Sequence, residues 1–180
     1  PGLYTAALTV TDSNGLSDTK SITVTAYSPS PVTGTDEMSM ASLTASGGFP
    51  DAPVEGRIGM SADGRYVAFT SSATNLVPGD TNSTPDVFVR DMTTGRTERV
   101  SVATGGGEAL PPAGAPSAFT GAVAISGNGR FVAFESAAAN LVPDDTNGLI
   151  DIFVHDRLAG TTERVYVGSA GQQANGSAFE

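Results

Sequence analysis

The chain of 180 residues is long enough for one medium domain or two small ones. Nine basic against nineteen acidic residues give a net charge of −10, which argues against a nucleic-acid partner because phosphate binding needs a basic face. The lack of cysteine excludes disulfides and Cys-ligated metals, and no apolar run is long enough to span a membrane. The 22 glycines and 11 prolines favour short strands joined by many turns.

The first predicted element is a β-hairpin within residues 1–27. Apolar residues alternate with polar ones on either side of a turn at Ser13-Asn14-Gly15: Tyr4, Ala6, Leu8, Val10, Ile22 and Val24. The stretch from Gly2 to Thr25 resembles the last two strands of a PKD (polycystic kidney disease) domain, an immunoglobulin-like β-sandwich. The resemblance implies a sandwich portion and carries over no function, because the aspartate-rich front half of such a domain is missing.

Most of the remaining chain is an internal duplication with a constant offset of 65 residues. The stretch Ser61–Phe69 recurs as Ser126–Phe134 without a gap. Between residues 61–100 and 126–165, 24 of 40 positions are identical. Identity at this level over a fixed offset indicates two copies of one structural unit.

Each copy is predicted to form four short strands. In the first copy they are Arg57–Ser61, Arg65–Ser71, Asp86–Asp91 and Thr97–Val102. Asp-Gly and Asn-Gly pairs, which are typical of two-residue hairpin turns, follow the first strand in each copy at 63–64 and 128–129. Four phenylalanines are expected in the core: Phe69, Phe88, Phe134 and Phe153. A four-stranded unit cannot bury both faces alone, so like units must pack beside it.

The motif Ser-x-Asp-Gly-Arg-Tyr-Val-Ala-Phe followed by Asp-Val-Phe-Val-Arg-Asp resembles the blade repeat of TolB-like, WD40-like β-propellers. The insertion Asn-Leu-Val-Pro-Gly-Asp-Thr-Asn is similar to one found in large bacterial surface and secreted proteins. The resemblance covers about residues 57–176. It implies an all-β chain with one propeller blade at 57–116 and a second at 117–180, where a lead-in to a further blade begins.

Residues 28–56 are predicted to be a Ser/Pro/Gly-rich connector that starts with the stiff Ser28-Pro-Ser-Pro31. Within it, 38–46 is predicted to be one more strand, because Met38–Gly48 is similar to the end of the first blade, Arg99–Gly106. The connector would then supply an outer strand to a blade made elsewhere.

Two blades cannot close a propeller ring, which needs about four to eight. The C-terminal Ser177-Ala-Phe179 matches Ser117-Ala-Phe119, which leads into the second blade. Two explanations are open. Either the chain is an excerpt from a longer repetitive polypeptide, or neighbouring copies complete one another by strand addition.

The most specific candidate site is an Asp-x-Asn-x-x-x-Asp pattern that occurs in both copies. Oxygen donors at alternate positions are the spacing used by calcium-binding loops, and a mixed set of carboxylate, amide and backbone oxygens favours calcium over magnesium. The predicted ligands are Asp80, Asn82, Thr84 and Asp86, and Asp145, Asn147, Leu149 and Asp151, with Thr84 and Leu149 contributing backbone carbonyls. The alternative is that these are ordinary turn residues bonded to their own backbone.

Catalysis has little support in the sequence, so the chain is predicted not to be an enzyme. His155 is the only histidine, it replaces Arg90 of the first copy, and an exposed strand position is expected for it. Without cysteine, a second histidine or a Gly-x-Ser-x-Gly elbow, a nucleophile would lack its base.

The sequence therefore predicts an extracellular structural or adhesive β-repeat protein, stabilised by calcium. It would be a surface or filament subunit that assembles head to tail by strand complementation. Expected partners are other copies or neighbouring modules of the same protein, with a cell-surface protein or polysaccharide as a further partner. The alternative is a substrate-recognition propeller within a large secreted hydrolase, whose chemistry another domain would perform.

Overall fold

The computed structural model describes residues 2–11, 17–26, 39–112 and 119–176, and it divides into two units, Pro1–Ser39 and Met40–Glu180. In the first unit, strands β1 (Gly2–Thr11) and β2 (Ser17–Ala26) form an antiparallel pair. This confirms the predicted pair of strands; the turn between them lies outside the described residues. A complete PKD-like sandwich stays a prediction. No described helix is long and apolar enough to cross a membrane.

The second unit contains two four-stranded antiparallel sheets, one for each copy of the repeat. The first sheet comprises β3 (Val54–Met60), β4 (Tyr66–Ser71), β5 (Asp86–Asp91) and β6 (Thr97–Arg99). The second comprises β7 (Phe119–Ile125), β8 (Phe131–Ser136), β9 (Asp151–Asp156) and β10 (Thr161–Arg164). Strands lie side by side in chain order in both sheets, which confirms four strands per repeat. The last strand of the first repeat is shorter than predicted, since it ends at Arg99.

The two faces of each sheet carry different side chains. We call the face with the two phenylalanines the front face, and the opposite one the back face. Strand pairing places Phe69 opposite Phe88 in the first repeat and Phe134 opposite Phe153 in the second. The ring centroids are 5.9 Å apart in both pairs. All four rings are buried, as predicted.

The front face of the second repeat packs on the back face of the first. Their shared core joins Ala68, Val87, Val89, Val100 and Ala109 to Val123, Val132, Phe134, Ala138, Leu141 and Phe153. The front face of the first repeat has a smaller core of its own, formed by Phe69, Ala73, Leu76 and Phe88, with Ala41 and Ala52 packed against it. Burial of both faces of the first sheet therefore depends on neighbours on each side.

Each repeat also holds the segment that precedes it through the asparagine of its Asn-Leu-Val-Pro motif. The Asn140 amide Nδ2 donates to the Glu108 carbonyl at 2.7 Å, and its Oδ1 accepts from the Leu110 N–H at 2.9 Å. Asn75 holds residues 49–51 in the same manner. We call this pair of hydrogen bonds the asparagine clasp.

The strand predicted over 38–46 is wrong for the described part of that stretch, which contains no strand. The Thr44 N–H instead donates to the Gly48 carbonyl at 3.0 Å and closes a tight turn. The Leu43 carbonyl accepts a hydrogen bond from Arg90 Nη1 at 2.9 Å. In a strand, the backbone groups are hydrogen bonded to the backbone of a neighbouring strand. In this segment, the Leu43 carbonyl is bonded to the Arg90 side chain.

The same segment is nevertheless a third copy of the end of a repeat. Turns with the hydrogen bonds seen at Thr44–Gly48 also close at Ala103–Gly107 and at Gly168–Gln172. We call the segments that contain the latter two turns, residues 101–110 and 166–175, the tails of the first and second repeats. Residues 49–51 then occupy the Asn75 clasp as residues 108–110 of the first tail occupy the Asn140 clasp.

An aromatic contact also joins the two repeats. The Tyr66 ring lies against Gly129, in the hairpin turn of the second repeat, where a Cβ would overlap the ring. The Arg157 guanidinium stacks over the same ring, 4.3 Å from its centroid, and forms an ion pair with Glu98 of the first repeat. Through these contacts, Tyr66 and Glu98 of the first repeat are joined to Gly129 and Arg157 of the second.

His155 does not take the exposed position expected for it. It alternates with Phe153 along β9 and therefore belongs to the front face, which is covered by the first repeat. Its Nδ1 is hydrogen bonded to Thr162 Oγ1 at 2.9 Å. Burial lowers the pKa of His155, because removal from water disfavours the charged imidazolium.

Replacing Gly129 with alanine is expected to destabilise the fold more than replacing Gly64, the equivalent residue of the first repeat. Both glycines have φ of +72°, so either alanine incurs a similar left-handed strain of roughly 1–2 kcal/mol. Only at Gly129 would the new Cβ displace Tyr66, which adds about 1–3 kcal/mol. Urea denaturation of Gly129→Ala and Gly64→Ala measures the difference, and equal losses would contradict the contact between repeats.

Candidate cation site

Three acidic side chains surround one guanidinium in the first repeat. Asp80 lies in the loop before β5, Asp86 begins β5, Arg99 ends β6, and Glu108 lies in the first tail. The Arg99 Nη1 is 3.2 Å from Asp80 Oδ1, 3.3 Å from Asp86 Oδ2 and 2.5 Å from Glu108 Oε1. One oxygen of each carboxylate lies within 4.8 Å of the others, which is close enough to share a metal ion. We call these four residues the cation cluster.

The structure brings two of the four predicted ligands of the first repeat together, Asp80 and Asp86. Asn82 turns its amide nitrogen toward the cluster, and Nδ2 donates to Asp86 Oδ2 at 3.0 Å. Its oxygen accepts from the Thr84 N–H at 3.1 Å, which is the backbone-bonded turn of the alternative explanation. That the backbone carbonyls of Thr84 and Leu149 bind an ion stays a prediction; the Thr84 hydroxyl is buried without a described hydrogen-bond partner. Asn82 is therefore a positioning group in this geometry, with its amide nitrogen bonded to Asp86 and its oxygen bonded to the backbone of the turn.

The second repeat has the same arrangement with one acid fewer. Arg164 Nη1 lies 3.4 Å from Asp145 Oδ1 and 3.5 Å from Asp151 Oδ2. Gln173 stands where the first repeat has Glu108, and its Nε2 donates to Asp145 Oδ1 at 2.7 Å. Asn147 repeats the turn seen at its counterpart, because its Oδ1 accepts from the Leu149 N–H at 2.9 Å. The formal charge is −1 in this repeat, with two acids and one arginine, and −2 in the first, with three acids.

The carboxylates of the cluster carry more negative charge than Arg99 compensates. Burial, together with the neighbouring Asp86 carboxylate, raises the pKa of Asp80 to about 6. Burial also raises the pKa of Asp86, although hydrogen bonds from Ser101 and Asn82 and the charge of Arg99 oppose it. The Asp80 side chain is only 3% exposed, and its Oδ1 forms no hydrogen bond among the described residues despite its nearness to Arg99. A buried, unsatisfied carboxylate oxygen favours a further cation.

The donor set of the first repeat therefore fits calcium, with one restriction. Asp80, Asp86 and Glu108 would hold the ion through hard carboxylate oxygens. The guanidinium of Arg99 now contacts all three, so calcium and Arg99 compete for the same oxygens. The second repeat also has buried carboxylate oxygens without a described partner, at Asp145 and Asp151, but it fits less well because it has one acid fewer and Gln173 Nε2 donates to Asp145.

Sequence reasoning missed Glu108 and Arg99 as members of the cluster. The signal was present in part, because Glu98-Arg99 recurs as Glu163-Arg164 at the constant offset. Glu98 itself does not belong to the cluster, since it forms an ion pair with Arg157 of the second repeat. Glu108 has no acidic counterpart in the second repeat, so nothing in the duplication pointed to it.

Glu108 also links the cation cluster to the contact between repeats. Its carboxylate accepts from Thr81 through the backbone N–H at 2.8 Å and through the hydroxyl at 2.6 Å, in addition to its pairing with Arg99. Its backbone carbonyl is the acceptor of the Asn140 clasp. A change at the cluster therefore acts directly on the segment that holds the second repeat.

Comparison with known proteins yields structural likeness only. No family model matches the chain, and no curated protein matches it in sequence. TolB from Acinetobacter baumannii aligns over 88% of this chain and 26% of its own length, with a TM-score of 0.39 and 15% identity. A structure described as TolB from Agrobacterium tumefaciens aligns over 92% of this chain and 43% of its own, with a TM-score of 0.38 and 14% identity. The chain thus spans less than half the length of either structure.

Replacing Asp80 with asparagine is expected to reduce the gain in stability on acidification. The folded-state pKa of Asp80 is about 6 against 3.8 for the ordinary group, so the folded state binds more protons between these values. Its contribution to the free energy of unfolding is therefore largest at low pH and is lost as pH rises through about 6. Asp80→Asn should lack this contribution when urea denaturation is followed from pH 7 to pH 5 with a chelator present.

The difference between wild type and variant reports Asp80 together with the carboxylates coupled to it, Asp86 and Glu108, because groups elsewhere titrate alike in both proteins. His155, whose pKa burial lowers, titrates in both proteins and acts in the opposite direction. Hydrogen bonds from Arg65 and Arg130 hold the pKa values of Asp91 and Asp156 well below the usual range, so their contribution is constant above about pH 5. Parallel pH profiles of wild type and variant would contradict the raised pKa of Asp80.

Proposed function

We propose that this chain is a non-catalytic structural module of an extracellular protein, made of β-propeller-type blades that join like modules head to tail. The proposal rests on one contact that the chain makes twice, the asparagine clasp. Asn75 clasps residues 49–51 as Asn140 clasps the first tail. The first repeat thus binds a segment equivalent to a tail, as the second repeat does. A repeat with such a contact on its front side is expected to pack against neighbouring repeats.

The distribution of side chains supports a structural role over a catalytic one. The single histidine is buried between the repeats and is hydrogen bonded to Thr162. The acidic cluster surrounds an arginine and is tied to the tail through Glu108. Both sets of polar groups are tied to the contact between repeats, because Thr162 donates to the Val102 carbonyl and the Glu108 carbonyl accepts from Asn140. Partners of the same kind, namely other copies or neighbouring modules, fit this role, and an adhesive role would add a cell-surface protein or polysaccharide.

Calcium is part of the proposal because of the negative charge of the cation cluster. A net charge of −2 and an unsatisfied buried oxygen on Asp80 favour a divalent ion. The ion would stabilise the tail through Glu108, and it would lower the repulsion between copies that each carry a net charge of −10. Calcium would thus strengthen the contact between repeats and the association of copies together.

Calcium is expected to raise the melting temperature of the wild-type chain, and Glu108→Gln should abolish most of that rise. The variant gives the first repeat the donor set of the second. At a hundredfold excess over Kd, calcium would stabilise the fold by about 2.7 kcal/mol, or roughly 5–10 °C. Calorimetry with millimolar calcium, with magnesium and with a chelator measures the shift.

The reciprocal variant Gln173→Glu is the matched control, since it gives the second repeat three acids and should enlarge the calcium shift. An equal shift in wild type and Glu108→Gln would remove calcium from the proposal. Sedimentation velocity of the same samples tests the modular role. The proposal expects species larger than the 18.1-kDa monomer in calcium, and a monomer under every condition would contradict head-to-tail joining.

A further inference from the structure

The front face of the first repeat leaves two apolar side chains uncovered. Ile58 and Met60 on β3 are 68% and 65% exposed. Their counterparts on β7 are Val123, which is 9% exposed, and Ile125, which packs against the shared core. The counterparts are covered because they face the back of the first repeat. Ile58 and Met60 have the same orientation and lack such a neighbour among the described residues.

The back face of the second repeat shows the complementary difference. Val165 is 47% exposed, whereas its counterpart Val100 is 1% exposed. Ile152 and Val154 on β9 are half-buried, whereas the counterpart valines on β5 are fully buried against the second repeat. A shallow depression in this face is lined by alanines of β7 and β8 and by Ile152. The second repeat thus exposes the surface that the first repeat uses for contact.

We propose that the back face of the second repeat in one copy binds the front face of the first repeat in the next copy. The joint would reproduce the contact that the two repeats make within the chain. Each residue of the first repeat would be replaced by its counterpart in the second, and each residue of the second by its counterpart in the first. This inference rests on the proposed head-to-tail function and specifies its surfaces. It replaces strand addition at sheet edges with packing of one sheet face on another, which is the packing observed between β3 and β7.

The hairpin turns of the two repeats are also complementary at the proposed joint. Within the chain, Tyr66 lies against Gly129, and Arg65 stacks on the Tyr66 ring at 4.9 Å. The counterpart of Tyr66 is Phe131, which is 41% exposed, with Arg130 stacked on its ring at 4.8 Å. The counterpart of Gly129 is Gly64, where a Cβ would meet only the end of the Met60 side chain. Phe131 of one copy therefore fits Gly64 of the next.

When the joint forms, the segment that contains Ala41 and Ala52 must leave the front face of the first repeat, and the Asn75 clasp exchanges its partner. It now holds the Phe49 carbonyl at 3.2 Å and the Asp51 N–H at 3.1 Å. The corresponding groups of the second tail are the carbonyl of Gln173 and the N–H of Asn175. Because the two sets have the same chemistry and spacing, the exchange conserves hydrogen bonds, as in domain swapping. The net driving force is burial of apolar surface.

The joint would be weaker than the contact within the chain. The Glu98–Arg157 ion pair has no equivalent, because Met92 occupies the position that corresponds to Arg157. Ala124 carries a Cβ where Gly59 has none, so Met60 must bend around it, which its unbranched side chain allows. Repulsion between acidic copies opposes association further. Assembly is therefore expected to depend on concentration.

Sedimentation velocity of the full chain with one glutamate on either face tests the joint. Ile58→Glu damages only the front face and Val165→Glu only the back face, and each variant should sediment as the 18.1-kDa monomer where wild type forms larger species. An equimolar mixture should form a dimer that grows no further, because one intact front face meets one intact back face. Leu158→Glu is the control, since Leu158 is 77% exposed in the turn after β9 and lies on neither face.

The outcomes separate this inference from the proposed function. Assembly of wild type with loss in both single variants, recovery as a dimer in the mixture and no change in the control would support the joint. Assembly that persists in either single variant, or a mixture that stays monomeric, would overturn the joint and leave head-to-tail function intact. A wild-type monomer at every concentration would overturn both. Circular dichroism and melting temperature confirm that each variant is folded, as expected for substitutions at exposed positions.

Discussion

The structure depends on the burial of one sheet face against another. Phe134 and Phe153 on the front of the second repeat pack against the valines of β5 on the back of the first. Neither sheet can exclude water from both of its faces alone, because four short strands form a single layer. The first repeat is covered on its front by the segment that contains Ala41 and Ala52, and on its back by the second repeat. Among the described residues, the second repeat is covered on its front only.

The polar groups follow from this packing and reinforce it. The first tail carries Glu108, whose side chain pairs with Arg99 and whose carbonyl is held by Asn140. The charge of the cation cluster and the position of the second repeat are therefore coupled through one residue. A buried cluster with three acids and one arginine is costly unless it is further neutralised, which explains why calcium would act on the contact between repeats.

Much of the fold was predictable, because the duplication and the alternation of apolar residues define strands and core directly. The turns at Gly64 and Gly129 and the burial of Phe69 and its counterparts followed from local pattern. Features that depend on a neighbour were not predictable in this way. His155 is buried because another repeat covers its face, and the stretch from residue 39 to 46 forms no strand where it bonds the Arg90 side chain. Arg99 contacts the predicted calcium ligands from the neighbouring strand β6, a contact that the spacing within the loop does not reveal.

Native-state amide hydrogen exchange on the monomeric chain tests the central dependence most directly. It compares the amides of β5, at Val87 and Val89, with their counterparts Ile152 and Val154 on β9. In the part of the chain that the structure describes, the first sheet is covered on both faces and the second on one, so β9 should exchange at least about tenfold faster through opening of the second repeat alone. Equal protection of the two strands would contradict the account, because coverage by a neighbour would then make no difference to the stability of a repeat.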